Sequence, residues 1–182
     1  NVVKLLSRVI MDLAEGEIKQ NLNRFDSGQT FSKYLNKSYC KTASLIANSS
    51  KAAGVLNNLD DKKLNMLYEF GKNIGLAFQV VDDILDFTGN DKQLGKPAVS
   101  DLASGYLTAP VLYALEENKN LSVFINRELV EKDDLNNALN IVMNSNAIKR
   151  SRKLAEDFAN LSIEAILWLP DSEYKRALLA LP

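Results

Sequence analysis

Apolar residues recur at spacings of three and four along almost the whole chain, and nowhere do they alternate with polar ones for the length of a strand. A helix repeats its face about every 3.6 residues and a strand about every two, so this pattern selects an all-α architecture. Only 8 glycines and 4 prolines punctuate the 182 residues, which leaves long helical runs unbroken. The spacing predicts helices at about 2–25, 30–56, 61–87, 105–117, 133–144, 147–168 and 172–181. Thr30, Asp60, Asp133, and Asp171 or Ser172 stand just before four of these runs, where a short side-chain oxygen can accept from a first-turn N–H. No repeat, low-complexity tract or Pro/Ser-rich linker divides the sequence, so the expectation is one packed helical domain over residues 1–182. The first run is periodic from Val2 onward with no cap ahead of it, as the interior of a longer helix would be, which predicts a piece of a larger domain.

Several function classes fall away on composition. With 22 basic and 23 acidic side chains the net charge is −1, so no overall field favours nucleic acid or an anionic membrane surface. No apolar run approaches the roughly 20 residues that a transmembrane helix needs. The start NVVKLLSRVI lacks the charged-then-apolar order of a signal segment. Histidine is absent, which removes Ser-His and Cys-His nucleophiles and the commonest zinc sites. The single cysteine, Cys40, reads as a packed thiol and excludes an internal disulfide. Chemistry on this chain must rest on carboxylates, lysines and metal.

The segment GLAFQVVDDILDF, Gly75–Phe87, concentrates such chemistry. At about 100° per residue, with Asp82 at zero, Asp86 falls near 40°, Gln79 near 60° and Asp83 near 100°, while apolar side chains fill the rest of the circle. A helix apolar on its other faces is expected to be buried, and three carboxylates buried together without compensation would each cost several kcal/mol. Two resolutions stand open. The aspartates pair with lysines across a helix interface, or they face a cation in a cavity. No basic residue lies three or four positions from the triad on its own helix. Aspartate is also a poor mid-helix residue for a merely solvated face. Hard cations such as Mg²⁺ take oxygen ligands from one or two carboxylates together with substrate phosphates, and DDILD suits that pattern.

The polar connection TGNDKQLGKPAVSD follows at once and carries Lys92 and Lys96, the latter between a glycine and a proline that restrict the backbone. Lys41 and Thr42 lie earlier in a helical stretch with few charges, and Lys37 sits one turn before Lys41. A lysine on an apolar helix more often snorkels to solvent than binds a ligand. These cations gain weight only beside the acidic helix.

Taken together, GLAFQVVDDILDFTGNDKQLGKPAVSDLASGYLTAPVLYALEE resembles the second aspartate-rich region of trans-isoprenyl diphosphate synthases. GEIKQ (Gly16–Gln20), KSYCKTASLIANSSKAAG (Lys37–Gly54) and YEFGKNIGLAFQ (Tyr68–Gln79) resemble further segments of that family in the expected order, so nearly the whole chain is covered. The likeness is greatest to long-chain, solanesyl-type synthases of cyanobacteria and plastids. It implies a helical bundle of the isoprenoid synthase type around a central substrate cavity. It also implies head-to-tail condensation of isopentenyl diphosphate with an allylic prenyl diphosphate, begun by Mg²⁺-assisted ionisation to an allylic cation. Asp82, Asp83 and Asp86 match the family's second metal motif, with Asp82 the direct ligand. Lys41, Thr42, Gln79 and Lys96 match diphosphate-contacting positions, and Asp82, Lys41 and Gln79 carry the catalytic roles.

The resemblance further implies a homodimer, or a heteromer with a related subunit. It places the protein in a plastid or a cyanobacterial-type cytoplasm, with which an Asn- and Lys-rich composition agrees. Two departures qualify it. No second DDxxD occurs in the sequence, and DDLNN at Asp133 reads as a helix cap. In DLASGYLTAP, Tyr106 stands where many bacterial relatives have a lysine. Without the first aspartate-rich motif the chain alone is expected to be inactive. The competing expectation is a non-catalytic subunit that tunes an active partner, against which the intact DDILD argues.

Overall fold

The computed structural model describes residues 2–89 and 99–182, and every regular element among them is helical. The order is α1 (Val2–Leu22), α2 (Phe31–Ser38), a π-helical turn (Tyr39–Ala43), α3 (Ser44–Leu56), α4 (Asp61–Thr88), α5 (Ser100–Ala103), α6 (Ala109–Glu117), α7 (Leu121–Asn126), α8 (Asp134–Met143), α9 (Ala147–Ile166) and α10 (Glu173–Leu179). All seven anticipated runs are present.

The differences have local causes. The run expected at 30–56 stays helical but inserts the π turn, so Ser44 N–H donates to Tyr39 O five residues back. The run expected from 105 begins at Ala109, because Gly105 turns the chain at φ +82° and Pro110 fits the first turn of α6, where no N–H is required. Helix α7 spans six residues, too few for a period to be read. Three caps behave as expected. Thr30 Oγ1 accepts from Lys33 N at 3.3 Å, Asp60 Oδ1 from Lys63 N at 2.9 Å, and Ser172 Oγ from Lys175 N at 3.1 Å. Asp133 corrects the sequence expectation, for its side chain makes no cap bond. Its neighbour Asp134 is buried instead, and accepts from Arg127 Nε at 2.8 Å and from Glu131 N at 3.1 Å.

The chain forms two compact units, and α1, α2, α4 and α9 contribute to both. The first comprises Asn1–Ile18, Asn36–Gln79 and Ala155–Pro182, the second Lys19–Leu35 and Val80–Leu154. Small residues dominate the packing of the first unit. A Cβ on Gly71 would stand 2.5 Å from Ile46 O, and one on Gly75 2.6 Å from Ala43 Cα, so α4 crosses α3 and the π turn at backbone contact. The second unit has a core of larger side chains, including Tyr34, Leu102, Leu107, Leu121 and Ile125.

Candidate functional site

Helix α4 ends at its aspartates. Gly89 N–H donates to Leu85 O at 2.7 Å, and Thr88 Oγ1 donates back to Ile84 O at 3.1 Å. The three carboxylates that precede this end do not share one environment. Asp83 is 2% exposed, and its Oδ2 accepts the hydroxyl of buried Tyr34 at 2.6 Å. Asp86 is fully buried and holds the start of α5: its Oδ1 accepts from Ser100 Oγ at 3.0 Å and its Oδ2 from Asp101 N at 3.1 Å. Val99 N–H also donates to Asp86 O at 2.8 Å. Val99 adopts φ +62°, a left-handed conformation costly for a β-branched residue, so the chain accepts strain to bring α5 to Asp86. Asp82 alone of the three is exposed.

These placements revise the expectation of a single acidic stripe on a helix buried all round. Phe78, Val81 and Leu85 of α4 are exposed, and two of the carboxylates are buried. Desolvation of Asp83 and Asp86 is offset in part by these hydroxyl and N–H donors. The motif therefore divides into two buried, hydrogen-bonded aspartates and one exposed one.

In the first unit, the π turn carries Lys41 and Thr42. Single π turns widen a helix by one residue and recur at functional sites. This one is gripped from both sides. A Cβ on Gly16 of α1 would lie 3.0 Å from Cys40 Cβ and Lys41 N, and Gly75 meets Ala43 as described above. Thr42 Oγ1 donates to Gln79 Oε1 at 2.7 Å, which turns the amide so that its –NH₂, the end an anion needs, points away from Thr42. Lys41 Nζ lies 3.5 Å from Glu17 Oε2, with both side chains well exposed. Such a pair contributes little to stability and yields readily to a stronger anion.

Lys92 and Lys96 lie outside the described residues. Cys40 is buried and in no disulfide. Its Sγ, an Asp12 oxygen and a Glu15 oxygen lie within 4.8 Å of one another, but Arg8 Nε already stands 2.8 Å from Asp12 Oδ1. Tyr106 is covered by the Arg24 guanidinium at 5.7 Å from its ring centroid. Four partners were invisible in sequence: Tyr34 for Asp83, Ser100 and Asp101 for Asp86, and Arg24 for Tyr106. Apart from the SD before LA, a helix-start signal, nothing local marked them.

The family described as polyprenyl synthetase matches residues 1–142. A prenyl transferase of Synechocystis is 53% identical over 99% of this chain and 56% of its own length. Solanesyl diphosphate synthase 2, chloroplastic, of Arabidopsis thaliana is 48% identical over 97% of this chain and 42% of its own length. A crystal structure of a polyprenyl synthase from Caulobacter crescentus, complexed with calcium and isoprenyl diphosphate, superposes with a TM-score of 0.89 at 31% identity, covering 99% of this chain and 56% of that one. The chain thus spans about half the length of the relatives it matches.

Proposed function

Since the chain belongs to the polyprenyl synthetase family and has its all-α isoprenoid synthase fold, we propose that it is the Mg²⁺-binding C-terminal part of a prenyltransferase. The reaction is head-to-tail condensation of isopentenyl diphosphate with an allylic prenyl diphosphate, giving a long-chain trans-polyprenyl product. The observation that carries this reading is the division within DDILD, where Asp82 is exposed while Asp83 and Asp86 are buried.

The donor chemistry fits a hard cation. Asp82 offers an anionic oxygen at the surface, and Mg²⁺ is ordinarily held by one or two carboxylates with the remaining positions left to water and phosphate. Bound there, the ion would supply the positive charge that stabilises a departing diphosphate. Asp83 and Asp86 anchor the helix end and α5 so that Asp82 is presented in one direction. Lys41, Thr42, Gln79 and Lys96 take the diphosphate: the lysines as point charges, Thr42 by setting the Gln79 amide, and Gln79 through its –NH₂. No protein base is required, because the released pyrophosphate takes the final proton. Calcium and isoprenyl diphosphate in the Caulobacter crescentus structure support a divalent ion and this substrate class. The cyanobacterial and chloroplastic relatives support a solanesyl-type product and a plastid or cyanobacterial setting. We further propose that the working protein is a homodimer and that these residues alone form no product.

The test is condensation of labelled isopentenyl diphosphate with geranylgeranyl diphosphate by the full-length protein, with and without Mg²⁺. Ion-dependent prenyl chains are expected. No product under either condition, from a folded protein, would refute the reading.

A further inference from the structure

The first unit holds a buried carboxylate that the mechanism does not use. Asp12 of α1 is fully buried, on the same helix face as Val9 and Gly16, where an apolar side chain would be less costly. Its Oδ2 accepts the hydroxyl of Ser44, also fully buried, at 2.6 Å. Arg8 Nε stands 2.8 Å from the other oxygen as an ion pair without hydrogen-bond alignment. Asn48 completes the cluster, its Nδ2 donating to Ser44 O at 2.8 Å and to Ser44 Oγ at 3.2 Å.

Ser44 is where the π turn ends, and its N–H makes the five-residue bond to Tyr39 O. A helical serine ordinarily directs its hydroxyl to a carbonyl one turn back. Here the hydroxyl is committed to another helix, which holds Ser44 in the wider register and opposes relaxation to an α-turn. A π turn has poorer hydrogen-bond geometry than the α-helix and persists only where its surroundings over-determine it.

We propose that Asp12 is a positioning residue: through Ser44 it locks the π turn and thereby fixes the direction in which Lys41 and Thr42 are presented. The inference rests on the reading above that these two residues meet substrate diphosphate. It assigns to α1 a part in substrate affinity that no contact with substrate would reveal.

Steady-state kinetics of the full-length protein with Mg²⁺ and both diphosphates test it, using Asp12→Ala, Asp12→Asn, Ser44→Ala and Lys41→Ala. Asp12→Ala and Ser44→Ala are expected to raise KM for at least one diphosphate about tenfold or more, with kcat within about threefold, as displaced binding groups do. Asp12→Asn keeps an acceptor for Ser44 and should remain within about threefold of wild type. In a Lys41→Ala background, Asp12→Ala should add a clearly smaller rise in KM, because one of the two groups through which it acts is gone. Wild-type KM in Asp12→Ala overturns the proposal, as does an undiminished rise in the Lys41→Ala background, the mark of a merely structural role. If Asp12→Ala does not fold, Ser44→Ala, which loses one oxygen, decides alone, and unchanged KM there is equally fatal. A Lys41→Ala enzyme with wild-type KM would instead sink the underlying reading of Lys41, and the proposal with it.

Discussion

Removing the Asp86 carboxylate would take this acceptor from the part-buried Ser100 Oγ and Asp101 N–H, next to a Val99 already held at φ +62°. Asp86→Ala is therefore expected to lower stability by about 1–3 kcal/mol, read by chemical denaturation. Asp82→Asn touches an exposed side chain and should change stability by less than about 0.5 kcal/mol. Asp134 makes a separate, pH-dependent prediction. The Arg127 hydrogen bond, aided by the Glu131 N–H and opposed by burial, holds its carboxyl below the usual 3.8. A folded-state value below the unfolded one stabilises the protein above the unfolded value, and the benefit disappears as pH falls through the folded one. The stability gap between wild type and Asp134→Asn should thus be full above about pH 5 and close below about pH 4 in acid-unfolding titrations.

Among the elements, the π turn between α2 and α3 carries the sharpest consequence. Gly75→Ala would place a methyl 2.6 Å from Ala43 Cα, against backbone that cannot swing aside. Either α4 or the turn must shift. A loss of about 1–3 kcal/mol, with a rise in diphosphate KM, is expected from thermal unfolding and kinetics of the full-length variant. This crossing also shows what sequence could and could not convey. Periodicity located the helix that contains Tyr39–Ala43, because apolar spacing tolerates one extra residue. It did not reveal the turn, whose cause lies in Gly16, Gly75 and Asp12 on other helices. The acidic helix repeats the lesson. Its aspartates and Gln79 were legible from spacing, but which of the three faces outward depended on Tyr34 and Ser100, 49 and 14 residues away. Asp133 misled because a short acid before an apolar run is an N-cap signal, whereas Arg127 drew Asp134 inward instead.

At the scale of the whole molecule, α1 exposes a row of apolar side chains, Val3, Leu6, Ile10 and Leu13, spaced three, four and three. That spacing is the seam on which another helix packs. The chain spans about half the length of its relatives, and exposed apolar rows of this extent are liabilities in an isolated domain. Expressed as these 182 residues, it is expected to bind a hydrophobic dye more strongly than the full-length protein does, with Val3→Lys and Ile10→Lys reducing the signal. The central claim is that the exposed carboxylate of DDILD holds the metal used in prenyl transfer. It is tested most directly by measuring Mg²⁺-dependent condensation of isopentenyl diphosphate by full-length wild type and Asp82→Asn side by side, with unfolding of both recorded. The account predicts product from the wild type and a loss of about a hundredfold or more in Asp82→Asn at unchanged stability. Equal rates from the two proteins would contradict it.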